Sequence, residues 1–100
     1  MWFNNAMNIM VHLFATFKVI AGQKQFEISL PDEATVLQAI HMIVKQVPVL
    51  KPHWLNETGE LQAHVHVFLN GREVPTLPQG WKTVLHSGDS LDFIPPVAGG

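Results

Sequence analysis

A single stretch of this chain, Thr35 to Val47, repeats its apolar residues at the helical interval, whereas the other patterned segments alternate in twos. Val36, Ile40, Ile43, Val44 and Val47 recur on one side, and Gln38, His41, Lys45 and Gln46 fall largely on the other. Thr35 and Gln38 have the spacing of a capping box, in which each side chain satisfies a backbone donor that the first helical turn leaves orphaned. Pro48 forces Val47 away from helical geometry and ends the helix. One helix among several short strands predicts an α+β domain, a sheet packed on one main helix.

The strands follow from the alternation. Ile9, Val11 and Leu13 alternate with Met10, His12 and Phe14, and Phe26, Ile28 and Leu30 alternate with Gln25, Glu27 and Ser29. The pair predicts an antiparallel ribbon, although the link from Ala15 to Ile20 is too long for a two-residue hairpin. Val65, Val67 and Leu69 alternate with His64, His66 and Phe68, and Asn70-Gly71 supplies the positive φ angles of a tight hairpin. A short partner strand is predicted over Glu73 to Thr76, with Pro75 confining it to a sheet edge. Trp81, Val84 and Leu85 are placed to cover one end of the core. Leu91 and Phe93 alternate with Asp92 and Ile94 in a last strand, which Pro95-Pro96 stops. Between 48 and 63 the pattern is loosest, with Leu50, Trp54 and Leu55 able to anchor a helical turn.

The predicted boundaries are an N-terminal overhang over residues 1–7, one domain over 8–94, and a flexible C-terminal tail over 95–100 ending in Gly99-Gly100. Met7 precedes the first patterned segment and is a candidate second start of translation. With 47% hydrophobic and 14% charged residues, the domain has the composition of a compact fold, and 100 residues suffice for one modest core. The formal charge of −2, with no run of Lys or Arg, argues against nucleic acid as a partner. Cysteine is absent, so any sulfur the chain handles comes from another molecule. No stretch has the pattern of a secretory signal or reaches membrane-spanning length, which predicts a cytoplasmic protein without a membrane partner.

Strand, strand, helix, strand, strand, strand is the order of a β-grasp, ubiquitin-like domain with a mixed five-stranded sheet. From about Ile9 to its end, the chain resembles the MoaD/ThiS family of ubiquitin-like sulfur carriers, and among its branches the small subunits of molybdopterin synthase. Leu13-Phe14-Ala15, Leu69-Asn70-Gly71, Ser87-Gly88-Asp89 and above all Phe93-Ile94-Pro95-Pro96-Val97-Ala98-Gly99-Gly100 carry the resemblance. Residues 1–7 have no counterpart in that pattern.

The resemblance implies that the working group is the Gly100 carboxylate, which an E1-like (MoeB-like) adenylating enzyme activates with ATP. A sulfur-donor protein then displaces AMP and leaves a thiocarboxylate. The loaded chain passes this sulfur to a pterin precursor on the large, MoaE-like subunit of molybdopterin synthase, in molybdenum cofactor biosynthesis. It implies no stably bound cofactor and no catalysis by the carrier alone. Glycine at 99 and 100 has a physical reason: without Cβ, the chain can thread a narrow channel and let nucleotide approach the terminal carbonyl. Fully extended, the six steps from Ile94 to Gly100 reach roughly 20 Å at about 3.3 to 3.6 Å per residue.

Ordering such a tail costs roughly 1 to 2 kcal/mol per residue, so a docking surface on the domain must supplement it. Alternation puts Phe14, Phe68 and Ile94 on the sheet face opposite the core. Together with Pro95, Pro96, Val97 and Ala98, they are the predicted partner-binding residues, against the simpler reading that they pack beneath a loop. Lys18 is a candidate charge contact, with a solvated lysine as the plainer account.

His64 and His66 share a strand face at a spacing two metal ligands could use, but no third ligand is evident, so no metal site is predicted. No serine, histidine and aspartate order or phosphate-cradling glycine loop argues for a stand-alone enzyme. Competing readings are a carrier for thiamine, cysteine or tRNA thiolation, a ubiquitin-like modifier forming isopeptide bonds to lysines, and a binding module without tail chemistry. Blocking Gly100 separates the last from the rest.

Overall fold

In the computed structural model, which describes residues 6–96, the chain runs through β1 (Ala6–Leu13), α1 (Ala15–Ala21), β2 (Gln25–Pro31), α2 (Val36–Gln46), α3 (Lys51–Trp54), β3 (His66–Leu69), β4 (Arg72–Glu73) and β5 (Ser90–Ile94). Short 3-10 turns occupy Pro48–Leu50, Val74–Thr76 and Gly80–Lys82. The five strands form one sheet in the order β2-β1-β5-β3-β4. β1 and β5 are parallel, and the other neighbours are antiparallel. This mixed sheet on helices is the β-grasp, ubiquitin-like fold that the element order predicted.

α2 begins as its sequence dictates. Thr35 Oγ1 accepts from the Gln38 N–H at 3.2 Å, and Gln38 Oε1 accepts from the Thr35 N–H at 2.8 Å. Replacing Thr35 with alanine orphans one of these donors and is expected to cost about 1 kcal/mol, read as a lower midpoint in urea with an unchanged slope. The buried residues of α2 are Val36, Ala39, Ile40, Ile43 and Val44. They belong to one core with Ile9, Val11 and Leu13 of β1, Ile28 and Leu30 of β2, Val67 of β3, and Leu91 and Phe93 of β5. Asn70 and Gly71 take φ of 51° and 85°, the left-handed pair that a two-residue hairpin between β3 and β4 needs.

Four expectations need correction. The link between the first two strands holds a helix: Phe14 leaves β1 extended, Ala15 turns sharply at φ 52°, and Phe17 of α1 is buried. Its N-cap has no side-chain hydrogen bond, so the usual sequence signal of a helix start is missing. The partner strand expected over Glu73 to Thr76 is only Arg72–Glu73, because Pro75 sits in a 3-10 turn that ends the ladder. The expected overhang over residues 1–7 gives way to strand from Ala6, where Met7 pairs with Leu30 and is buried. His64 precedes β3 rather than sharing its face with His66.

Candidate functional site

β5 is the element that leads to the tail, and its alternation decides how the tail is rooted. Leu91 and Phe93 point into the core while Asp92 and Ile94 face the other side of the sheet. The next residue on the core side is Pro95, which is buried, and Pro96 is exposed. Phe93 stacks on Trp54 with centroids 4.2 Å apart and planes 15° from parallel. Trp54 in turn meets Phe17 edge-on at 5.7 Å. Two short helices, α1, which the periodicity does not reveal, and α3, where Leu50, Trp54 and Leu55 predict a helical turn, thus supply the side chains that clamp the last strand. The predicted reactive residues Gly99 and Gly100, and the tail residues Val97 and Ala98, lie outside the described residues.

The open face of the sheet is ordered by its register. One row runs Gln25, His12, Asp92, Phe68, Glu73 across all five strands, and Glu27, Met10 and Ser90 form the next. Ile94 lies opposite His66. Phe68 and Ile94 are half-buried on this face. Phe14 lies just past β1 as the N-cap of α1, 42% exposed, and its N–H donates to the Phe93 carbonyl at 3.2 Å. A continuous apolar patch is therefore not what the register builds, because Asp92 stands between Phe68 and β1.

His12 explains how a carboxylate is held there. Its Nδ1 lies 3.0 Å from Asp92 Oδ1 and 3.0 Å from Ser90 Oγ. A carboxylate only accepts, so Nδ1 carries the proton and donates to Asp92. Serine and aspartate meet the same ring nitrogen, whereas a proton relay needs both nitrogens. The trio fixes a polar centre on the face and is not a catalytic triad. Sequence reading missed it because its members are 78 and 80 residues apart. A second clip, also unforeseen, ties the hairpin to the start of β5: Asn70 Oδ1 accepts from the Ser90 N–H at 2.9 Å, and its amide donates to Asp89 Oδ1 at 3.0 Å.

The two candidate metal ligands part company. His64 lines a groove beside Pro95 and Pro96, while His66 lines a different cavity. Among the described residues no group of three His, Asp or Glu side chains could hold an ion, and no helix is long and apolar enough to cross a membrane.

Comparison with known proteins supplies what the geometry leaves open. The ThiS family model matches residues 11–100. Over 94 residues the chain is 39% identical to small archaeal modifier protein 3 of Haloferax volcanii, covering 94% of this chain and all of that protein. The crystal structure of SAMP1 from the same organism superposes with a TM-score of 0.85 at 29% identity, covering 93% of this chain and 99% of the other. A provisionally named molybdopterin converting factor subunit 1 from Pyrococcus furiosus gives a TM-score of 0.71 at 30% identity, covering 91% and 99%.

Proposed function

Because this chain belongs to the ThiS family, we propose that it is a carrier of an activated C-terminal acyl group, in which the Gly100 carboxylate reacts and the β-grasp domain presents it. An E1-like enzyme joins the carboxylate to AMP from ATP, releasing pyrophosphate. A sulfur donor then displaces AMP, which leaves a thiocarboxylate. The observation that carries this reading is the family match running through Gly100. The firm rooting of β5 by Trp54 and Phe93 supports it, since a domain that presents a terminus needs a fixed point of departure.

Two fates of the activated terminus fit one chemistry. Attack by a lysine amine gives an isopeptide bond, the modifier outcome, and the 39% identity to a small archaeal modifier protein favours it. Delivery of the thiocarboxylate sulfur to a pterin precursor is the molybdopterin outcome, and the resemblance to the Pyrococcus protein supports it. In both, partner docking falls to Phe14, Phe68 and Ile94 together with Pro95, Pro96, Val97 and Ala98. Phe68→Arg is expected to weaken binding of the activating enzyme about tenfold while leaving the amide spectrum of the fold intact, because a half-buried aromatic anchor becomes a charge.

Mass spectrometry of the intact chain tests the proposal. After incubation with ATP, an E1-like enzyme and a sulfur donor, one oxygen at the Gly100 terminus should be replaced by sulfur. Conjugates on lysine select the modifier fate, and conversion of a pterin precursor in the presence of a large synthase subunit selects the other. A terminus that stays unchanged under all these conditions overturns the reading.

A further inference from the structure

Beside β3, a cavity of about 700 Å³ opens between α2, the segment preceding β3, Glu73 of β4 and Trp81. Its walls include Leu37, Leu61, Val65 and the Trp81 indole. Two carboxylates, Glu60 and Glu73, line it beside the imidazoles of His41 and His66, and no lysine or arginine does. Glu60 Oε1 lies 3.1 Å from the Thr58 hydroxyl, whose shorter contact is Asn56 Oδ1 at 2.7 Å, and Glu73 Oε2 lies 3.6 Å from His66 Nδ1. A volume of this order with a mainly apolar lining and a few polar groups is the usual form of a binding pocket.

We propose that this cavity binds a lysine side chain, with its apolar neighbours, from an extended segment of a partner protein. The charges argue for the occupant. A site with two carboxylates and neither lysine nor arginine is complementary to a cation, and an aromatic side chain beside them adds attraction for an ammonium group. The apolar walls argue for lysine on a peptide rather than a bare ion, since its four-carbon stem covers apolar surface while its head reaches charge. Leu61 and Trp81 would take the stem, and Glu60 and Glu73 the ammonium. Glu73 and His66 are the cross-strand neighbours of Phe68 and Ile94, so the cavity adjoins that face, yet it requires no chemistry at Gly100.

The test is a titration of the full-length, isotopically labelled chain with an acetylated, amidated Ala-Leu-Lys-Leu-Ala pentapeptide, followed by amide and indole resonances. Shifts are expected at residues 59–67 and at the Trp81 indole. Acetylating the peptide's lysine is expected to weaken binding about tenfold, and the double substitution Glu60→Gln with Glu73→Gln to do the same. The acetylated peptide needs no variant of the protein, so a misfolded double mutant cannot mask the answer. Equal binding of the acetylated peptide, shifts confined to His12, Ser90 and Asp92, or no shifts at millimolar peptide would each overturn the proposal. Shifts at residues 59–67 that depend on protein concentration without peptide would overturn it in favour of a second copy of this chain. None of these readouts depends on activation of the terminus, so the two proposals fail separately.

Discussion

Replacing Trp54 with alanine should lower the melting temperature by on the order of 20 °C. Trp54 is fully buried, stacked on Phe93 and edge-on to Phe17, so its loss opens a cavity where α1, α3 and β5 meet. Truncating a buried aromatic costs about 3 to 5 kcal/mol, and each kcal/mol moves the midpoint of a domain this size by about 4 to 8 °C. Since small domains are stable by only about 5 to 15 kcal/mol, a large share of the native state's margin is at stake. Trp54→Phe should be far milder. It keeps an aromatic ring against Phe93 and removes a buried indole N–H that has no hydrogen-bond partner among the described residues. Thermal melts followed by circular dichroism check both variants, and a drop of only a few degrees for alanine would show that the tail root is held elsewhere.

A valine at position 99 should slow adenylation on the order of a hundredfold, while amidation of Gly100 should abolish it. On the proposed reading the Gly100 carbonyl has to meet a nucleotide and a sulfur donor at contact distance, and a branched side chain one residue away would displace it. Misplacement by about 1 Å can cost a factor of 10². Amidation acts differently, because it removes the oxygen nucleophile itself. Neither change touches the core assembled by residues 6–96, so melting temperatures should match the parent protein. Pyrophosphate release measured with a purified E1-like enzyme reads both. Undiminished release from the amidated chain would place the reactive group elsewhere.

What the sequence made legible was whatever depends on neighbours in the chain. The Thr35 and Gln38 box needs residues three apart, and the Asn70-Gly71 hairpin needs a pair, so both appear as read. α1 stayed hidden because Ala15 to Ala21 has no capping side chain and only seven residues, too few for its apolar spacing to speak. The alternation predicts too long a partner strand, because Pro75 is compatible with a sheet edge yet sits in the 3-10 turn that ends the ladder. The docking face was read from alternation alone, which places Phe68 and Ile94 but cannot see that the register sets Asp92 beside Phe68 and His12. Contacts across 80 residues, such as His12 with Asp92, have no local signature at all.

The position of β5 carries a consequence for the birth of the protein. The last strand lies at the sheet's centre, parallel to the first on one side and antiparallel to β3 on the other. A nascent chain therefore lacks the middle of its sheet until β5 has been made. Non-local pairing of this kind makes closure late and slow, and leaves the edge of β1 bare in the meantime. A product cut short before β5 would lack the keystone of the domain together with the proposed reactive terminus.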